Sequence, residues 1–287
     1  MKLINLSRQY SNNKSIIDKN IKKTLDQTDF ILGKNVNLLE KKLAKFSGSK
    51  YCVTVGNGTE ALLISLMALG IKKNDEIITT SFSFISAVEV IKFIGAKPIL
   101  VDINPDTANI NSKLIEKKIT KYTKAILIVN LFGNVVDFDD IQKISKKYKL
   151  NIIEDAAQSF GAKYKNKMSG NLGDLSCTSF FPTKSLGCYG DGGAIFCNNK
   201  KHYELIRRLR NHGQIKKYQY EQVGLNSRLD TIQASILLAK LTFFKKELRL
   251  RKKKYQFYKK NFNVLISKKI ISLIKISNDV SSSYSYF

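Results

Sequence analysis

Two residues of this chain combine type and setting in a way that could support chemistry. Lys184 lies in Ser179-Phe180-Phe181-Pro182-Thr183-Lys184-Ser185-Leu186-Gly187, between two apolar runs, and Asp155 closes the apolar run that leads into Ala156-Ala157-Gln158. A lysine on an apolar loop flanked by glycine is poorly placed as a surface charge. Desolvation there lowers its pKa and leaves an amine able to form an imine. An aspartate ending a hydrophobic strand can hold a proton on a heterocyclic nitrogen. A Schiff-base lysine and an acidic partner for a ring nitrogen are what pyridoxal phosphate requires, so the pair points to that cofactor.

Other residues are consistent with such a site, though each has an ordinary structural explanation as well. Gly56-Asn57-Gly58-Thr59-Glu60-Ala61 puts glycines where a strand becomes a helix, which would expose N–H groups and a positive helix end to a phosphate. A tight strand-to-helix turn accounts for the same glycines. Ser179 could reach that phosphate, and Gly187, Gly190, Gly192 and Gly193 would let the loop after Lys184 approach a ligand, although a hairpin turn also uses glycine. Asp155 could instead cap a following helix, Gln158 could be a surface amide, and Phe84 could belong to the core. Asn226-Ser227-Arg228 reads by default as a helix cap.

These residues need a scaffold, and the pattern supplies one. From Lys50 onward, apolar runs alternate with amphipathic segments, which predicts a mostly parallel, buried sheet with helices on both faces. Strands are predicted at 51–55, 76–80, 98–103, 125–130 and 151–155, with helices over 59–69, 86–94, 112–119 and 139–148. Shorter strands at 176–181 and 193–197 precede a helix at 202–210 and a long helical stretch from Leu229 to Phe262. Two helical stretches, 15–25 and 37–46, form an N-terminal arm. The tail from Ser277 to Phe287 shows no recognisable closing element.

The chain has 287 residues, 43% of them hydrophobic, enough for a sizeable core. No apolar run approaches the ~20 residues of a membrane-spanning helix, and the N-terminus from Met1 to Ser7 lacks the apolar core of a signal peptide. A soluble cytoplasmic protein is expected. Cys52, Cys177, Cys188 and Cys197 form no C-x-x-C pair, so buried reduced thiols are expected and a metal site is not. The net charge of +26 raises nucleic-acid binding as a question. The lysines are spread over nearly every helix and no recognition motif accompanies them, so a solvated surface that attracts an anionic substrate is the preferred reading.

Taken in order, Phe30-Ile31-Leu32-Gly33, Gly56-Asn57-Gly58-Thr59-Glu60-Ala61-Leu62, Glu154-Asp155-Ala156-Ala157-Gln158, Ser179 to Lys184, Gly190-Asp191-Gly192-Gly193-Ala194, Arg210-Asn211-His212-Gly213 and Asn226-Ser227-Arg228-Leu229-Asp230 resemble the DegT/DnrJ/StrS sugar aminotransferases. The resemblance runs from Asn5 to Glu247. It implies the fold-type-I architecture of pyridoxal-phosphate transferases: an α/β domain with its N-terminal arm over 1–240, and over 241–287 a linking helix and the start of an incomplete small domain. Stretch 177–196 is most similar to members that aminate a UDP-linked 3-oxo sugar, such as UDP-2-acetamido-2-deoxy-3-oxo-glucuronate, with glutamate as donor. Carried over by position, the resemblance implies that Lys184 forms the Schiff base and moves the proton, and that Asp155 pairs with the ring nitrogen. Gln158 would meet the ring hydroxyl and Phe84 would stack on the ring. Gly58, Thr59, the backbone of Glu60, and Ser179 would surround the phosphate, which Asn226 of a second subunit completes, implying a homodimer. Arg228 would meet an anionic group of the substrate, and His212 could as well be packing. Dehydratases of this family carry histidine at the lysine position, so Lys184 favours transamination. Members of the family continue past the position of Phe287, so a truncated protein that binds cofactor or nucleotide sugar without turnover is the alternative.

Overall fold

The computed structural model describes residues 4–286, so Met1 to Leu3 of the N-terminal segment and Phe287 of the tail lie outside the described residues. The arm is α1 (Leu6–Gln27), kinked at Asn13, and α2 (Lys34–Ser47). The body follows as β1 (Tyr51–Val55), α3 (Gly58–Ala68), β2 (Glu76–Thr80), α4 (Ser86–Phe93), β3 (Lys97–Val101), α5 (Ser112–Ile115), β4 (Thr123–Val129), α6 (Phe138–Tyr148) and β5 (Asn151–Asp155). Then come β6 (Lys163–Tyr164), β7 (Lys167–Met168), β8 (Leu175–Ser179), β9 (Gly193–Cys197), α7 (Lys200–Leu209), β10 (Gln214–Lys216) and β11 (Gln219–Tyr220). The chain closes with α8 (Thr231–Asn261), α9 (Asn263–Ser267) and β12 (Val280–Ser281).

The main sheet has the order β1-β9-β8-β5-β4-β2-β3. β8, β5, β4, β2 and β3 run parallel, while β9 is antiparallel to both its neighbours, so β1 points the same way as the parallel strands. Successive side chains alternate between faces. Ala125, Leu127 and Val129 of β4 join one apolar layer with α3 and α4, and Ile126 and Ile128 join another with α6. Burial on both faces explains why these strands read as continuous apolar runs. α3 is apolar nearly all round because it lies between the sheet, α4 and α7. α2 and the first half of α8 build a further layer around Phe160, Phe180 and Phe196.

Several boundaries differ from expectation for local reasons. The segment expected at 176–181 leaves the sheet after Ser179, just before Pro182, which has no N–H to donate. The helix expected over 112–119 is one α turn followed by a 3-10 turn over Glu116–Lys118. The cap of α8 is Asp230, so the cap expected at Asn226-Ser227-Arg228 does not form there. The tail does contain regular structure: β12 pairs with β6 in a three-stranded sheet with β7. Strands of two residues carry too short a pattern to be read in advance, and β12 also meets its partner β6 from far along the sequence.

Lys240 of α8 is buried at 1% exposure, and its Nζ has no hydrogen-bond partner. It lies over the ring of Tyr189, 5.1 Å from the centroid. Burial pulls its pKa down to about 8, with Glu247 and Cys188 acting the other way.

Candidate active site

One edge of the main sheet gathers the chemistry. β1, β2, β4, β5 and β8 all end there, which is where ligands bind in parallel α/β sheets. Asp155 is the last residue of β5, Ser179 the last of β8, and Lys184 follows in the turn that leads to β9. Phe84 sits in the loop after β2, and Gly58 opens α3 directly after β1. These residues line one cavity of about 620 Å³, together with Thr59, Glu60, Gln158, Phe181 and Asp191.

Within the cavity Asp155 is 7% exposed, and its Oδ1 accepts the N–H of Ala157 at 2.9 Å. The bond tightens a turn, and no α-helix follows, so Asp155 is not a helix cap. Burial raises its pKa above the usual carboxylate range, while the Ala157 N–H and the positive charge of Lys184 oppose that shift. Burial likewise lowers the Lys184 ammonium below an ordinary lysine, and the charge of Asp155 opposes it. Each charge partly offsets the other's desolvation. A cationic ring nitrogen would give the buried carboxylate the counter-charge it lacks, leaving Lys184 freer to become a neutral amine.

The other end of the cavity suits an anion. Asn57 caps α3 by accepting the N–H of Glu60 at 2.8 Å, so the positive end of an eleven-residue helix faces the cavity beside Thr59. A Cβ on Gly58 would come within 2.7 Å of Ser179 Cβ, and one on Gly193 within 2.4 Å of the Asn57 carbonyl oxygen. The glycines therefore let the helix start, β8 and β9 converge. Ser179 Oγ accepts the N–H of Phe181 at 3.2 Å, which leaves its proton for a ligand. Glu60 departs from expectation in detail, because its backbone N–H is already engaged by Asn57 and is not available to a phosphate in this geometry.

Gln158 lines the cavity and accepts the N–H of Phe132 through Oε1 at 2.9 Å, which leaves its NH₂ group to donate. Phe84 is 68% exposed at the cavity wall, so the alternative that it belongs to the core is wrong. Two expected residues do not line the cavity. Asn226 is exposed and bridges Asn211, and Arg228 donates through Nη1 to Asn211 Oδ1 at 3.2 Å. Among the described residues no cluster of three or more His, Cys, Asp or Glu could hold a metal, and no helix is long and apolar enough to cross a membrane.

Some supporting residues carried no signal in the sequence. Glu154, facing away from Asp155 on β5, is fully buried and accepts from Asn130, Ser169, Gly170, Leu172 and Ser176 at 2.7 to 3.1 Å. Arg210 and Glu40 form a buried ion pair at 2.6 Å, and Arg210 also donates to the Thr54 carbonyl of β1. Both networks brace strands that end at the cavity.

Known proteins share this sequence pattern and this fold. The chain is 50% identical over 253 residues to UDP-2-acetamido-2-deoxy-3-oxo-D-glucuronate aminotransferase of Pseudomonas aeruginosa, covering 88% of this chain and 70% of that one. Its fold superposes on a DegT DnrJ EryC1 StrS aminotransferase from Brucella abortus with a TM-score of 0.94 at 35% identity, over 99% of this chain and 77% of that one. NtdA of Bacillus subtilis, solved with bound cofactor PMP, matches with a TM-score of 0.90 at 30% identity, over 99% of this chain and 65% of that one. Residues 12–287 match the DegT/DnrJ/EryC1/StrS aminotransferase family, and the chain belongs to it.

Proposed function

We propose that this protein moves an amino group from glutamate to the 3-keto group of a UDP-linked sugar, such as UDP-2-acetamido-2-deoxy-3-oxo-glucuronate, in the synthesis of glycan or polysaccharide precursors. The observation that carries the reading is the convergence of Lys184 and Asp155 on one cavity whose far end presents a helix N-terminus. The 50% identity to a UDP-3-oxo-sugar aminotransferase supports the substrate class.

When bound, pyridoxal phosphate supplies the aldehyde that takes nitrogen from the donor and the ring that accepts the electrons of the broken C–H bond. Lys184 would hold it through Nζ and, as a neutral amine, would be the base that moves a proton between carbons. Its lowered pKa suits both tasks, whereas a histidine could do only the second. Asp155 holds the proton on the ring nitrogen. Gln158 donates to the ring hydroxyl, Phe84 covers a ring face, and Thr59 and Ser179 donate to the phosphate beside Gly58.

The same proposal assigns Asn226 and Arg228 to the cavity of a second copy, Asn226 at the phosphate and Arg228 at an anionic group of the substrate. The exposure of Asn226 and the position of both residues outside this chain's own cavity support that assignment, as do the solvent-facing apolar residues Phe84, Phe181, Tyr218 and Val223, which a homodimer would cover. The working compartment is the cytoplasm, where the free, buried thiols of all four cysteines stay reduced. The same reading divides the chain near residue 240, within α8, whose buried side chains end at Phe244.

Reduction of the protein with borohydride and peptide mapping should put a pyridoxyl adduct on Lys184, and glutamate with the UDP-3-oxo sugar should yield a UDP-3-amino sugar. An adduct mapped to any other lysine would contradict the assignment.

A further inference from the structure

The tail after β12 packs against two segments that carry cavity residues. Ser282 Oγ donates to the Gly133 carbonyl at 2.8 Å, and the Ser283 N–H donates to the same oxygen at 3.0 Å. Gly133 has φ +86°, and a Cβ there would come within 2.7 Å of the Tyr284 nitrogen and 2.8 Å of the Ser285 nitrogen. Only a glycine leaves room for the tail to lie this close. Ser285 then donates its hydroxyl proton to the Gln158 carbonyl. Because that proton is committed, Ser285 Oγ acts as acceptor toward Ser185 Oγ, 3.1 Å away. The result is a directed relay from the Ser185 hydroxyl to the Ser285 hydroxyl to the Gln158 carbonyl.

Ser185 is 5% exposed and adjoins Lys184, and Gln158 lines the same cavity as Lys184. The relay therefore joins the two segments that carry the amine and the amide across residues distant in sequence. Ser283 supports it, with its Oγ 3.2 Å from Ser285 Oγ and 3.4 Å from the Gln158 carbonyl. We infer that Ser285 is a positioning residue of this enzyme: its hydroxyl holds the Lys184 turn against the Gln158 segment and keeps water away from the Lys184 amine. The role of Lys184 in this inference rests on the function proposed above, but the tie itself can be tested without cofactor.

Two measurements on the cofactor-free protein read it. Hydrogen exchange of the peptide spanning residues 183–187 should speed up several-fold in Ser285→Ala, with exchange of β4 and β5 unchanged. The pH midpoint for acylation of Lys184 by an amine-reactive reagent, followed by peptide mapping, should move upward as water reaches the amine. Ser285→Thr keeps the hydroxyl and should restore both. Ser185→Ala cuts the relay from the other side and should reproduce both changes, so a poorly folded Ser285→Ala would not decide the matter. Wild-type exchange and an unshifted midpoint in Ser185→Ala, or in a folded Ser285→Ala, would overturn the inference. Borohydride mapping of the wild type judges the cofactor separately: a missing Lys184 adduct would count against the proposed function and leave the exchange result to decide the tie.

Discussion

Lys184 and Asp155 perturb each other, and the direction of that coupling can be measured. The aspartate's charge holds the lysine's pKa up against burial, so Asp155→Asn should lower it further. In cofactor-free protein the pH midpoint for acylating Lys184 should lie below that of surface lysines, and lower still in Asp155→Asn; an upward move would show that the two charges do not interact. The same substitution should reduce turnover by at least about a hundred-fold, since a neutral amide cannot hold the ring proton. These two residues were legible in the sequence because each sits in an apolar context that makes a surface role unattractive. Gln158 and Phe84 were ambiguous residue by residue, and it is the shared sheet edge that gives them a common direction. Glu60 shows the limit of reading by position, because whether a backbone N–H is free depends on what the neighbouring Asn57 side chain does.

The strands hold the site in register, and Glu154 fixes their centre. Its carboxylate accepts from donors on β8, on the segment after β7 and on the loop after β4, so the single residue ties three parts of the chain. Glu154→Gln turns one acceptor oxygen into a donor that faces other donors. Denaturant unfolding should show a loss of about 2 to 4 kcal/mol, the cost of leaving buried partners unsatisfied. An isosteric exchange at an exposed acid such as Glu116 should cost far less. The strands and helices of the parallel core were legible from periodicity to within a few residues, because burial on both faces writes long apolar runs. β6, β7 and β12 were not, since two residues show no periodicity and β12 meets β6 only in the folded chain. Glu154 was hidden for the same reason: its partners span residues 130 to 176.

At the scale of the molecule, the proposed dimer makes a prediction that the single chain cannot satisfy. If Asn226 serves the partner's cavity, Lys184→Ala and Asn226→Ala variants, each nearly inactive, should regain activity when mixed and allowed to exchange subunits. Random pairing would restore roughly a quarter of wild-type sites, because each mixed dimer carries one intact cavity. No recovery in mixtures shown to exchange would exclude the shared site. Lys240 bears on the molecule differently. Its pKa of about 8 lies below the ordinary 10.5, so between those values the unfolded chain binds the proton that the folded chain has released. The contribution of Lys240 to stability should therefore climb with alkalinity over that window and fall back as the pH returns through 8. Lys240→Met, which removes the stranded ammonium, should raise the melting temperature at neutral pH, and its advantage should shrink toward pH 10. A cation held over Tyr189 without a hydrogen-bond acceptor thus penalises neutrality, and its relief in mildly basic solution is opposed above pH 9 by the Cys188 and Cys197 thiols, which burial pushes up to about 11.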